Sequence, residues 1–274
     1  MPELPEVETV RKTLLKKILN KKITKVEVFY PNIIVEPTLE KFKKELINQT
    51  IIDIKRKGKW LIFELNDYYL LSHLRMEGKY NLKKITDGYD KHEHVSFIFE
   101  DETCLRYKDT RKFGRMYLYK KDEAYNNKPL NELGLEPWDK ELNTNYLKEK
   151  YKNKKMPIKT VILDQSIVVG IGNIYADEIL FLSNINPLKN VYLLSDSELK
   201  SIINNTKKVM EKSIKNGGTT IKSYESSEGV HGMNQNYLFV HSRENCKCKK
   251  CESMIIKIKV GGRGTYYCPN CQKL

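Results

Sequence analysis

Hydrophobic positions in the first 19 residues recur at helical spacing, with Val7, Val10, Leu14 and Ile18 on one face. Pro5 suits a first helical turn, and Glu6 and Glu8 lie where a helix dipole is positive, so an amphipathic helix is expected over 5–19. The period then shortens to that of strands. Ile23–Tyr30, Ile51–Arg56, Lys59–Leu65, Tyr68–Leu74, His94–Glu100, Thr103–Tyr107 and Arg115–Tyr119 are short, β-branched or aromatic, and bounded by turn formers. One helix, about Leu39–Asn48, interrupts them. The pattern predicts an N-terminal antiparallel β-sandwich with flanking helices.

Around 131–144 the character changes, with Gly134, Pro137 and polar residues marking a linker. Helices are expected over Met156–Gln165 and Ile174–Ser183, on either side of the tight turn Val169-Gly170-Ile171-Gly172-Asn173. A longer helix opens at Ser195, where Glu198 three residues on completes a capping box, and stops at Gly217-Gly218. A loop of about 20 residues leads to a cysteine-rich tail; loops of that length are usually functional or disordered. The expected fold class is α+β and multidomain: a sandwich domain over 1–134, a helical domain over 135–222, a loop over 223–237 and a metal hairpin over 238–274.

Lys and Arg number 49 against 35 Asp and Glu, a net charge of +14 that favours a polyanionic partner. No apolar run approaches the roughly 20 residues of a membrane helix, and the acidic, proline-broken start is unlike a secretory signal. A soluble, cytoplasmic monomer without membrane association is expected. Disulfides fit that compartment poorly, and five of the six cysteines crowd the end of the chain.

Cys248-x2-Cys251-x16-Cys268-x2-Cys271 can place four thiolates tetrahedrally around one zinc, with the insert forming a hairpin turning at Gly261–Gly264. Four sulfur ligands leave no open position, which makes such a zinc structural. Cys246 could substitute for a neighbour. Segment 238–274 carries eight Lys or Arg against two acids, and Arg263 at the hairpin tip suits a phosphate contact. Gly170-x-Gly172-Asn173 ahead of a helix lets backbone N–H groups approach an anion. Pro2 becomes a secondary amine once Met1 is removed. Such an amine, with an α-amino pKa of about 8, can attack a sugar C1′ and give an iminium that remains cationic without a proton. Glu3 beside it could supply the proton that opens the sugar ring.

Several blocks together resemble the formamidopyrimidine-DNA glycosylase family: Pro2-Glu3-Leu4-Pro5-Glu6-Val7-Glu8, Ser72-His73-Leu74-Arg75-Met76-Glu77-Gly78, Arg111-Lys112-Phe113-Gly114 and Gly170-Ile171-Gly172-Asn173-Ile174-Tyr175-Ala176. The four-cysteine finger, with Arg263 five residues before Cys268, completes the set in the family's order. The resemblance implies a helix-two-turn-helix in the helical domain and a bifunctional enzyme. It would excise oxidised purines from damaged double-stranded DNA and then nick the strand by β- and δ-elimination. Pro2 is then the nucleophile and Glu3 the acid/base, with Glu6 supporting that site. Lys59 matches the lysine of β-elimination and Arg263 the finger arginine of phosphate binding and δ-elimination. His92, Lys155 and Asn173 match DNA-backbone contacts, and the 223–237 loop matches the segment that caps the flipped base. Met76, Arg111 and Phe113 match the trio inserted when the lesion is extruded, since a flipped base leaves a hole that an apolar wedge can fill.

The chain departs from the family pattern at Thr110, where proline is frequent, and at Val240-His241-Ser242-Arg243, where a tyrosine-glycine pair usually precedes the arginine; Cys246 is extra. Two other readings compete: an endonuclease VIII-like glycosylase for oxidised pyrimidines, and a non-enzymatic DNA-binding protein with a zinc-finger tail. Leu4-Pro5-Glu6-Val7 and the intact Arg111-Lys112-Phe113 argue against the first, and the second leaves Pro2, Glu3 and Lys59 without a role.

Overall fold

The computed structural model describes residues 1–219 and 232–274. They fall into two compact units, one holding Met1–Pro2 and Glu6–Glu132, the other Glu3–Pro5, Leu133–Thr219 and Met233–Leu274.

In the first unit the short-period segments become strands β1 (Ile23–Val28), β2 (Ile34–Glu36), β3 (Asp53–Lys57), β4 (Trp60–Glu64), β5 (Tyr68–His73), β6 (Lys79–Lys84), β7 (Glu93–Phe99), β8 (Thr103–Lys108) and β9 (Arg115–Lys120), with helices α1 (Leu4–Ile18) and α2 (Leu39–Leu46). One sheet runs β1-β7-β8-β6 and the other β2-β9-β5-β4-β3. Alternation along each strand sends one set of side chains inward. Val26, Phe97, Leu105 and Tyr107 from the first sheet meet Ile54, Phe63, Leu70 and Leu118 from the second in a single core, joined by Val7, Val10, Leu14 and Ile18 of α1. The sandwich is therefore as expected, apart from the parallel pairing of β2 with β9. Strands β2 and β6 have no counterpart among the expected elements. The Lys-rich composition of β6 hides an alternating pair, Tyr80 and Leu82, whose partner strand β8 lies more than 20 residues on.

The second unit holds α3 (Thr144–Tyr151), α4 (Ile158–Val161), α5 (Asn173–Leu182) and α6 (Asp196–Lys215), followed by the hairpin β10 (Ile256–Val260) and β11 (Arg263–Tyr267). The capping box at Ser195 and Glu198 is formed, with both reciprocal bonds present. Two expectations fail here. The helix expected over Met156–Gln165 shrinks to the single turn of α4, because Asp164 turns its carboxylate onto the Ser166 amide and hydroxyl and ends the helical run. The last residue of the expected linker opens α3, capped by Asn143, whose side chain accepts from the Tyr146 amide. Leu147 and Tyr151 of α3 join Val161, Ile174, Ile179, Leu199 and Ile202 in a second core. Among the described residues no helix is long and apolar enough to cross a membrane.

Candidate active site and metal centre

Glu3 is almost fully buried, and the turn at Gly170–Asn173 explains why it can be. Its carboxylate accepts the Gly172 and Ile174 amides at 2.8 and 2.9 Å and the Tyr175 amide at 3.3 Å. These are the otherwise unsatisfied N–H groups of the first turn of α5, and the helix dipole favours a negative charge there. The anion that the glycine turn was expected to receive is thus the chain's own Glu3. Gly172 is required by proximity: a Cβ at that position would stand 2.2 Å from the Glu3 carboxyl carbon. Leu4 extends the grip, its amide donating to Gly170 O at 3.2 Å. Pro2, directly before Glu3, is buried, as is Glu6.

Helix α5 also holds the hairpin strand that begins at Arg263. Asn173 donates from Nδ2 to Gly264 O at 2.9 Å, while its Oδ1 is buried without a hydrogen-bond partner among the described residues. One helical turn on, Asp177 accepts from Lys159 Nζ at 2.6 Å, faces His241 Nδ1 at 2.7 Å and accepts the Tyr266 amide at 3.3 Å. Lys159 and Asp177 are both fully enclosed, so each charge depends on the other. Burial pulls the Lys159 ammonium below the ordinary lysine range against the pull of Asp177. Glu178 accepts the Phe239, Val240 and His241 amides at 2.8, 2.9 and 2.9 Å. One helix therefore fixes Glu3, the β11 backbone beside Arg263 and the approach to the cysteine hairpin. Lys159, Asp177 and Glu178 were not among the expected site residues; the signal available was two adjacent acids on an otherwise apolar helix.

Arg263 is exposed, and its position is corrected by one step. The turn is the pair Gly261-Gly262, both at positive φ, and Arg263 opens the return strand opposite Val260. Lys155 is exposed on the turn between α3 and α4. The departures at 240–243 have a structural consequence: Ser242, where glycine is usual, sits at φ +59 in the left-handed region.

In the first unit, Lys59 is buried in the two-residue turn Gly58-Lys59 between β3 and β4. His73 at the end of β5 packs edge-on against Trp60 and accepts the Arg75 amide on Nδ1 at 2.9 Å. Burial, with Arg75 and Lys59 nearby, pushes its pKa down to about 3, so it is a neutral acceptor at working pH. Phe113 is 46% exposed, Met76 half-buried and Arg111 exposed, so none of the three is core packing. The Arg111 guanidinium lies 4.7 Å from the centre of the Phe113 ring. The Asp109 carboxylate accepts the Arg111, Phe113 and Gly114 amides at 3.0, 2.9 and 2.8 Å and shapes that loop. His92 precedes β7, its carbonyl accepting the Asp109 amide at 2.9 Å and its Nδ1 buried without a hydrogen-bond partner among the described residues. Of the expected capping loop over 223–237, the part over 223–231 lies outside the described residues.

Cys248, Cys251, Cys268 and Cys271 bring four sulfurs within 4.8 Å of one another, and Cys246 is exposed and outside the group. Zinc–sulfur bonds of about 2.3 Å in a tetrahedron require sulfur–sulfur edges of about 3.8 Å. Here Cys248 and Cys271 are 3.9 Å apart and Cys251 and Cys268 3.4 Å, which fits one zinc. The Lys250 and Cys271 amides point at Cys248 and Cys268 Sγ, each at 3.4 Å, as thiolates require. Burial pushes the Cys268 and Cys271 thiols up, while hydrogen bonds from Asn270 and Ser253 hold Cys251 down at about 5. A dication offsets that burial cost and allows all four to ionise. The zinc is structural: Cys248 and Cys268 pack with Phe181, Val240 and Ile255 in a small core of their own.

A basic protein with a β-sandwich unit, a helical unit and a four-cysteine zinc hairpin is a combination found in DNA-repair glycosylases. The comparisons name the family. The formamidopyrimidine-DNA glycosylase N-terminal domain model matches residues 1–116, its H2TH domain model residues 133–225, and the model for the zinc finger found in FPG and IleRS residues 247–274. Proteins named formamidopyrimidine-DNA glycosylase from Oceanobacillus iheyensis and Bacillus subtilis are 49% and 46% identical over 273 residues, 99% of this chain and 98% and 99% of theirs. The Lactococcus lactis Fpg bound to DNA containing N7-benzyl-Fapy-dG superposes with a TM-score of 0.92 at 41% identity, over all of both chains. Its complex with DNA containing an abasic site gives 0.92 at 40%, over 99% of this chain and 100% of that one. The chain belongs to the formamidopyrimidine-DNA glycosylase family.

Proposed function

We propose that the protein is a bifunctional glycosylase and lyase of base excision repair, acting on oxidised purines such as 8-oxoguanine and formamidopyrimidines in duplex DNA. With Met1 removed, the Pro2 nitrogen forms a bond to C1′ of the damaged nucleotide as the glycosidic bond breaks and the base leaves with the bonding electrons. The Glu3 carboxylate takes the proton from the newly bonded Pro2 nitrogen. It delivers that proton to the ring oxygen O4′ as the C1′–O4′ bond breaks, which opens the sugar and leaves a cationic iminium. Loss of a C2′ proton then expels the 3′ phosphate, and loss of a C4′ proton expels the 5′ phosphate. Water returns the Pro2 amine. Lys59 serves the first elimination, and Arg263 holds phosphate and serves the second. Asn173, Lys155 and His92 hold the DNA backbone, and Met76, Arg111 and Phe113 enter the duplex behind the extruded base. The zinc holds the hairpin that presents Arg263 and takes no part in bond making.

The observation that carries this reading is the seat of Glu3. A carboxylate next to the N-terminal proline is buried against three backbone N–H groups, an expensive arrangement for a residue that merely starts the chain. Family relatives named for the glycosylase support it, as do the solved complexes with lesion and abasic DNA. Borohydride reduction during turnover on an 8-oxoguanine duplex should give a covalent adduct whose linked peptide begins at Pro2. An adduct on an interior lysine, or none, would overturn the mechanism, and preferential excision of thymine glycol would replace purines by pyrimidines.

A further inference from the structure

Met76 lies on the loop between β5 and β6, and Arg111 and Phe113 on the loop between β8 and β9. Both loops close on one side chain of β8. Tyr107 is fully buried, and Cβ atoms at Gly78 and Gly114 would stand 2.3 and 1.9 Å from its hydroxyl oxygen. Each loop thus runs its bare backbone over the tip of the same phenol. That hydroxyl donates to Asp109 Oδ2 at 3.4 Å, on the carboxylate that already accepts the Arg111, Phe113 and Gly114 amides. Asp109 is itself fully enclosed, and its backbone is fixed at both ends: the amide donates to His92 O, and the carbonyl faces His94 Nε2 at 2.7 Å. Each loop also contains a non-glycine residue in the left-handed region, Arg75 at φ +53 and Lys112 at φ +58. Such conformations persist where the surroundings over-determine them.

We propose that Asp109, with Tyr107, is the positioning pair that presents Met76, Arg111 and Phe113 as one rigid tool, so that lesion extrusion proceeds without first ordering two loops. The proposal rests on the reading of those three residues as the insertion trio. A wedge must be preorganised to act, because exposed loops otherwise lose conformational freedom at the moment of insertion. Neither Asp109 nor Tyr107 touches the DNA in this scheme; both act through the loops.

The test uses the full-length, zinc-loaded protein and an 8-oxoguanine duplex with 2-aminopurine beside the lesion, whose fluorescence reports unstacking. Asp109→Asn replaces an acceptor oxygen by a donor facing amides, and Tyr107→Phe removes one hydroxyl while keeping the core filled. Unstacking and single-turnover excision should slow about tenfold or more in Asp109→Asn and less in Tyr107→Phe. Cleavage of a duplex carrying a preformed abasic site should stay within about threefold of wild type, since a nucleotide without a base is cheaper to extrude. A merely structural defect would lower both reactions together, and that result overturns the proposal. Met76→Ala and Phe113→Ala are run alongside. If they slow unstacking while Asp109→Asn and Tyr107→Phe do not, the positioning pair is refuted and the insertion trio stands. If they leave unstacking unchanged, the trio is refuted and the pair falls with it.

Discussion

Gly172→Ala isolates the seat of Glu3 from every other feature of the site. Gly172 has extended backbone, φ −125 and ψ −163, so alanine meets no conformational obstacle there. It meets Glu3 instead: the added carbon would lie 2.2 Å from Cδ and 2.5 Å from Oε1. Non-bonded carbons settle at about 3.5–4.0 Å, so the carboxylate must retreat by more than about 1 Å. That stretches or breaks the bonds from Gly172, Ile174 and Tyr175, of which the first two are short and well formed. Hydrogen bonds to a charged group are worth about 1.5–3 kcal/mol each and overpacking costs about 1–3, but water and relaxation recover part, so a net loss of about 2–4 kcal/mol is expected. For catalysis the displacement matters more, because a misplacement of about 1 Å costs on the order of 10²-fold in rate. Single-turnover excision on an 8-oxoguanine duplex should fall by that factor, and urea unfolding should show the stability loss. Gly88→Ala is the control, since a Cβ there meets nothing within 4 Å. A Gly172→Ala protein that excises within about twofold of wild type would refute the assignment of the proton donor to a Glu3 held by α5.

Other consequences are as direct. Arg263→Ala should weaken DNA binding and reduce the slope of log K against log salt by about 0.9, the value of one phosphate contact; an unchanged slope removes that contact. Stripping the zinc with a chelator should unfold the hairpin and lower DNA affinity, while an equal affinity in a verified zinc-free sample would contradict its role. His73 titrates with a folded pKa pushed down to about 3, below its unfolded value, so its contribution to stability is complete above pH 6.5 and is lost as pH falls toward 3. Stability should therefore decline by about 1.4 kcal/mol per pH unit below pH 6.5 through this group alone, and His73→Gln should flatten that slope in urea titrations at pH 7.5 and 5.5. Ser242→Gly should raise stability by about 0.5–1 kcal/mol, because the residue stands at φ +59; a loss would mean the Ser242 side chain matters more than the backbone.

The sequence alone determined whatever short-range rules govern. The capping box at Ser195 and Glu198, the apolar stripe of α1, the alternation of the long strands and the two cysteine pairs all involve residues a few positions apart, or one turn of backbone apart. The family blocks carried the candidate site in the same way, as contiguous strings. Tertiary structure decided the rest. The bond between Glu3 and Gly172 spans 169 positions and that between Asn173 and Gly264 spans 91. No local pattern announces that a glycine turn will receive the chain's own third residue, or that Asp177 and Glu178 will tie α5 to the finger. The same limit explains why β6 escaped notice and why the helix expected at 156–165 closed after one turn: strand identity depends on a partner, and helix length on competing side-chain bonds. Elements are set by neighbours along the chain. A buried carboxylate is affordable only where distant backbone supplies the donors, and that is a property of the folded molecule.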